Sequence, residues 1–292
     1  MDLRILYRGP LESCNYGCSY CPFAKRVDDR DTLARDRAAL TRFVARVLER
    51  DDHRFGVFFT PWGEAGNRRW YQDALVALSR APHVDRVALQ TNLSGSLRFV
   101  EDAVPEKLGL WATYHPEWVT RSRFVAKVRA LHRAGVHVSV GVVGFRRFAE
   151  EAEALRKELP ESVYLWINAV KSTPAPEPYG GEDVARFTRL DPLFPVNLVE
   201  HESLGHSCRA GASVFSVDGD GTMRRCHFVR TPIGNLYEPE FERTLFERPC
   251  PNARCGCHIG YAHLDRLGLA GVFGDGILER VPRRLPVVRT AE

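Results

Sequence analysis

The feature that most narrows what this chain can fold into is a repeated switch of hydrophobic period. Leu3-Arg-Ile-Leu-Tyr7 is a short apolar run closed by Gly9-Pro10. Over residues 32–50, Leu40, Phe43, Val44, Val47 and Leu48 recur at the spacing of one helical face. Phe55-Gly-Val-Phe-Phe59 is continuously apolar, as in a strand buried on both sides. The alternation continues with a helix at Trp70–Arg80, a strand at Val87–Gln90, a weaker helix at Leu97–Ala103 and a strand at Gly109–Ala112. Phe124, Val125, Val128 and Leu131 mark a helix stopped at Gly135, and a strand follows at Val136–Val140. A helix at Phe148–Leu159, a strand at Val163–Ile167 and a helix from about Glu182 to Leu190 complete six repeats. Such units build a parallel sheet with helices outside it. Six are too few for an eight-stranded barrel, and connections of one hand curl the sheet into an open one. Functional groups in these sheets collect at the C-terminal strand ends.

The loop after the first strand reads Cys14-Asn-Tyr-Gly-Cys18-Ser-Tyr-Cys21, three thiols in eight residues. Thiolates at this density select Fe–S clusters, zinc or Cu(I). A structural zinc usually takes four protein ligands, so three from one loop leave it incomplete. On a [4Fe–4S] cube, three cysteines hold three irons and leave the fourth open to a further ligand.

The spacing Cys-x3-Cys-x2-Cys, with Tyr20 beside the third cysteine, resembles the signature of the radical S-adenosylmethionine (SAM) superfamily. The resemblance implies an α/β fold, a six-stranded partial (β/α)6 TIM-like barrel over residues 1–195. It implies that Cys14, Cys18 and Cys21 hold a [4Fe–4S] cluster whose open iron chelates SAM. One electron then cleaves SAM to methionine and a 5′-deoxyadenosyl radical, which abstracts a substrate hydrogen atom. Gly63-Glu64-Ala65 is similar to the family's GGE element, whose backbone accepts from the SAM ammonium, with Trp62 in place of the first glycine. Asn92 resembles a ribose contact, Val142 in Gly141-Val-Val-Gly144 resembles an adenine-packing residue, and Asn168 closes the set at the sixth strand end. Tyr114, His115 and Lys171 are candidates for substrate contact or proton transfer, because His titrates near neutrality and Tyr can donate.

Beyond the Pro-rich stretch Ser172–Pro178, five cysteines fall within fifty residues: Cys208, Cys226, Cys250, Cys255 and Cys257. Apolar residues flank Asp218-Gly-Asp-Gly221, which predicts a β-hairpin that brings Cys208 and Cys226 together. The arrangement is similar to the SPASM/twitch extension of radical SAM enzymes, which carries an auxiliary [4Fe–4S] cluster. Five cysteines serve one such cluster, so the twitch type fits better, with two of Cys250, Cys255 and Cys257 completing the set. A zinc knuckle using His258 is the competing reading, while Asp218-x-Asp220 lacks the other ligands of a calcium loop. The expected organisation is a barrel over 1–195, a cysteine-rich hairpin and helix over 196–265, and a helix with a mobile or docking tail over 266–292.

Net charge is +4 without a long single-sign block, which argues against a nucleic-acid partner. No apolar run reaches the roughly 18 residues of a membrane span, and the N-terminus lacks a signal-peptide core. Eight cysteines are then expected in reducing cytoplasm as metal ligands. The resemblance points to oxidation, crosslinking or rearrangement of a peptide or small amino-acid-like molecule, with a reductase or flavodoxin-type electron donor. The alternative is a non-catalytic Fe–S or zinc protein in electron transfer or partner binding.

Overall fold

The computed structural model describes residues 1–23, 26–172, 175–274 and 279–283. Six strands, β1 (Asp2–Arg8), β2 (Arg54–Phe59), β3 (Val84–Thr91), β4 (Leu108–Tyr114), β5 (His137–Val143) and β6 (Tyr164–Asn168), pair in parallel with their sequence neighbours. Between them run α1 (Arg30–Glu49), α2 (Arg69–Arg80), α3 (Arg121–Arg133) and α4 (Ala149–Glu158), and α5 (Gly181–Leu190) and α6 (Phe194–Leu198) follow. This is the six-stranded partial barrel that the alternation predicts.

The two faces of the sheet separate cleanly because strand side chains alternate. Ile5, Val57, Phe59, Leu89, Leu110, Val140 and Leu165 pack with Phe43, Leu75, Phe124, Leu155 and Phe187 of the helices. Leu6, Phe58, Ala88, Trp111, Tyr164 and Trp166 face inward as a second cluster. Trp111 lies parallel to Phe58 at 5.7 Å and edge-on to Trp166 at 5.1 Å.

The expected helix at Leu97–Ala103 is instead two 3₁₀ turns, Arg98–Glu101 and Pro105–Lys107. Leu97, Val100 and Ala103, spaced by three, match the three-residue period of that tighter helix, and Pro105 supports the restart.

The remaining short elements are β7 (His201–Glu202), β8 (Val214–Asp218), β9 (Thr222–Arg224), β10 (Pro232–Asn235), β11 (Arg254–Cys255), α7 (His258–Tyr261) and α8 (Ala270–Phe273). The predicted hairpin is β8–β9, turned at Gly221, whose φ of 89° suits glycine. Sequence did not foresee that β8 pairs in parallel with β1, so one nine-stranded sheet runs β10-β9-β8-β1-β2-β3-β4-β5-β6. The C-terminal segment does not merely close over the barrel: Tyr261, Leu264, Leu269 and Phe273 pack among its inward side chains. Arg280, read as the start of a loose tail, is 1% exposed and lies over Trp166 at 4.6 Å. The tail beyond residue 283 and part of the Pro-rich stretch lie outside the described residues.

Candidate functional site

Two aspartates set the entrance of the thiol loop. Asp36, buried on α1, accepts from Leu11 N at 3.1 Å, Trp70 Nε1 at 2.7 Å and Tyr71 OH at 3.1 Å. Asp28 accepts from Glu12 N at 2.9 Å and from Ser13 N and Oγ, both at 2.8 Å. The turn after β2 ties in from the other side, with Gly63 N donating to Leu11 O and Glu64 N to Ser13 O. A Cβ on Gly63 would collide with the Ser13 carbonyl, so this glycine is required by the loop lying on it.

Cys14, Cys18 and Cys21 follow that entrance, Cys18 buried and the others half-buried. Burial raises the Cys14 thiol and pushes Cys18 up to about 11, and the neighbouring thiols add to both shifts. Clustered soft donors whose negative charge is disfavoured by their surroundings suit a metal–sulfur centre, which supplies the positive charge.

The strand ends converge on this loop. Glu64, 5% exposed, accepts from Thr91 Oγ1 at 2.5 Å, Asn92 N at 2.7 Å and Gly66 N at 3.0 Å. Burial still raises its carboxyl to about 7. Both carboxylate oxygens are thus occupied. Asn92 Nδ2 reaches Asn15 Oδ1 at 3.2 Å and Cys14 Sγ at 3.7 Å. The loop that follows is held by Lys127 Nζ, which donates to Leu93 O at 2.6 Å and Gly95 O at 2.8 Å, with Leu93 at a φ of 57°.

His115 Nδ1 stands 2.9 Å from Tyr20 OH and 3.4 Å from Cys18 Sγ. Burial lowers its imidazole to about 4, so it is neutral at neutral pH. Tyr20 is packed between His115, Phe145 and Phe148.

Two sequence candidates fall on the wrong face. Tyr114 turns to the helices, against Phe124, and donates to Glu151 Oε1 at 2.8 Å. Val142, its register partner on β5, shares that outward face. Strand alternation is the reason: neighbours one residue away, His115 and Val143, are the ones on the inner side. Asn168 is exposed at the inner rim of β6. Lys171 Nζ is bound by the carbonyls of Asn197 at 2.8 Å, Val199 at 3.4 Å and Gly256, so it anchors the C-terminal segment.

Of the five later cysteines, Cys208 and Cys250 are buried and Cys226 and Cys255 half-buried. Burial pushes Cys226 up to about 11, and the charges of Cys208 and Cys250 add to it. Cys255, pushed up to about 12 first by burial, feels Cys226, Cys257, Cys208 and Cys250. Arg225 braces the group, donating to Pro249 O at 2.5 Å and Arg248 O at 3.1 Å from beside Cys226. Burial raises the Cys257 thiol most, and the charges of Lys171, Arg8 and Arg280 oppose that rise.

Sequence reading missed Asp28, Asp36 and Lys127. A signal existed for Asp36, which sits on the buried stripe of α1 with Leu40, Phe43 and Val47. Among the described residues no three Cys, His, Asp or Glu side chains converge on a single metal ion.

No family model matches the chain, and no curated protein matches it by sequence. Among solved structures it resembles SuiB of Streptococcus suis, with a TM-score of 0.55 and 12% identity over 84% of this chain and 66% of SuiB. It also resembles anSMEcpe with bound AdoMet, with a TM-score of 0.52 and 16% identity over 84% of this chain and 83% of that one. A second anSMEcpe structure, with bound AdoMet and the Cp18Cys peptide, gives a TM-score of 0.51 and 15% identity over 84% and 82%. The chain therefore spans just under two thirds of SuiB and over four fifths of anSMEcpe. The partial-barrel fold that the cysteine spacing implied is the fold the chain has.

Proposed function

We propose that this protein is a radical SAM enzyme that acts on a peptide or amino-acid-like substrate, with an auxiliary cluster at its later cysteines. The observation that carries the reading is the position of Cys14, Cys18 and Cys21. They are clustered thiols at the C-terminal mouth of a parallel partial barrel, with Gly63, Asn92 and His115 beside them. Cys14, Cys18 and Cys21 would hold a [4Fe–4S] cluster, which in its reduced form would supply the one electron needed for reductive cleavage of SAM.

The chain's own residues do the rest. Strand-end carbonyls at Gly63, Glu64 and Ala65 would accept from the SAM ammonium, and Asn92 would reach the ribose. Val143, on the inner face at the C-terminal end of β5, would take the adenine-packing role that the resemblance gave to Val142. Neutral His115 and Tyr20 pack against the thiol loop and exclude water from it. Cys208 and Cys226, with two of Cys250, Cys255 and Cys257, would hold the auxiliary [4Fe–4S] cluster, since Cys255 feels the charge of all four other thiols. The peptide-bound anSMEcpe neighbour supports a peptide substrate. Electrons would come from a reductase or flavodoxin-type donor.

The test is anaerobic reconstitution with iron and sulfide counted per chain, beside a Cys14/Cys18/Cys21→Ala variant, followed by dithionite, SAM and mass spectrometry for 5′-deoxyadenosine. About eight irons in wild type, about four in the variant, and 5′-deoxyadenosine only from wild type are expected. An iron-replete wild type that cleaves no SAM with candidate peptides or without them overturns the reading.

A further inference from the structure

We propose that Arg225 is the fixed countercharge of the later cysteine centre, a buried positioning residue that holds the auxiliary cluster at a higher reduction potential than its thiolates alone would give.

Arg225 directly follows β9 and directly precedes Cys226. Its two terminal nitrogens donate to Pro249 O at 2.5 Å and Arg248 O at 3.1 Å, the carbonyls that lead into Cys250. Chain connectivity and hydrogen bonds therefore fix the guanidinium between the segments that carry Cys226 and Cys250. The Cys208 segment closes on the same residue. Gly211, at a φ of 95°, packs so tightly there that a Cβ on it would meet the Arg225 Cβ at 2.8 Å.

The charge of Arg225 is left without an acid. The side chain is 3% exposed, its acceptors are carbonyls, and its Nε has no hydrogen-bond partner. Among the described residues no carboxylate pairs with it. Arg248 beside it does not supply one: it donates to Thr244 O at 2.5 Å and lies 3.7 Å from the Phe246 ring. The other deeply buried arginine, Arg280, at least has Asp191 at 3.9 Å. A buried cation with an orphaned donor and no acid is costly unless other negative charge stands beside it. The thiols are the groups that can carry that charge. Burial raises the Cys208 thiol, and the Ala210 amide and the Arg225 guanidinium oppose that rise.

Metal binding deprotonates the ligating thiols, so the loaded centre is anionic, and one-electron reduction adds a further negative charge. A fixed cation nearby favours the reduced form over the oxidised one. Local charge and N–H donors to sulfur are the protein's levers on an iron–sulfur potential, and Arg225 offers both, the second through its orphaned Nε. The inference deepens the proposed function and rests on its auxiliary cluster.

The test uses the full chain carrying Cys14/Cys18/Cys21→Ala, so that only the later cysteines are read. This parent is reconstituted anaerobically, its iron is counted, and its reduction is followed by electron paramagnetic resonance against a series of redox mediators. Arg225→Gln in that background should keep the iron of the parent. Its reduced-to-oxidised ratio at a fixed applied potential should fall about tenfold, which for one electron is about 59 mV. Arg225→Lys keeps the charge and should stay within about threefold of the parent. Equal potentials in the parent and in iron-replete Arg225→Gln overturn the inference. So does a potential as low in Arg225→Lys as in Arg225→Gln, which would trace the effect to lost bracing. Should Arg225→Gln fail to fold or to load, Arg225→Lys decides alone: a parent-like potential supports the inference and a tenfold fall overturns it. Loss of iron from both variants would make Arg225 a brace only, and that too overturns it. A parent that takes up zinc or no iron would remove the auxiliary cluster from the proposed function, an outcome distinct from any failure of Arg225 on loaded protein.

Discussion

At the scale of single residues, the thiol loop and its neighbours depend on buried carboxylates taken up by internal hydrogen bonds. Asp36 accepts from one backbone amide, one indole and one phenol in the interior beneath the thiol loop. Asp36→Ala strands those donors, and urea denaturation should show a loss of about 3 kcal/mol or more. Glu64 is raised from its ordinary 4.5 to about 7 by burial, against three hydrogen bonds. A raised carboxyl holds its proton more tightly in the folded state. Its contribution is therefore complete below pH 4.5 and lost as pH rises through about 7. The wild type, compared with Glu64→Gln across that window, should lose up to about 3 kcal/mol as pH increases, since a tenfold change in proton affinity is worth about 1.4 kcal/mol. A difference that is flat with pH would mean that the carboxyl does not titrate there.

At the scale of elements, the close contacts are made by glycines at strand ends. Gly141 on β5 lies against Trp166 on β6, its register partner, and a Cβ there would overlap the indole ring. Gly141→Ala should cost about 1–3 kcal/mol by overpacking, read as a lower urea midpoint at unchanged slope. The same reasoning explains why Gly63 serves the thiol loop before any cofactor is considered. The β8–β9 hairpin behaves as a strand pair of the main sheet, since β8 covers the edge that β1 would otherwise expose.

At the scale of the whole molecule, the later cysteine region and the barrel share one interior. Tyr261, Leu264, Leu269 and Phe273 fill the space between Phe58, Trp111, Tyr164 and Trp166. The full chain should therefore melt in one cooperative transition by circular dichroism. A chain stopped at residue 207 would bare both the β1 edge and this aromatic interior. It should aggregate without a cooperative transition, and a soluble fragment with a sharp melt would show the barrel to be independent. No helix of the described residues is long and apolar enough to cross a membrane.

The sequence by itself determined the repeat, the order of the six parallel strands, the hairpin turn at Gly221 and the thiol loop at a strand end. All of these are local: a hydrophobic period, a turn residue or a ligand spacing is legible within a dozen residues. It could not show that Tyr114 and Val142 face the helices, because a shift of one residue reverses the face of a strand, and composition does not reveal that register. It left Cys250, Cys255 and Cys257 equivalent, because their separation in sequence says nothing about which side chains surround each. Only tertiary structure decided that β8 joins β1 and that Arg280 is interior. Those outcomes come from contacts between segments far apart in the chain, where the competition to bury apolar surface and pair strand edges is settled collectively.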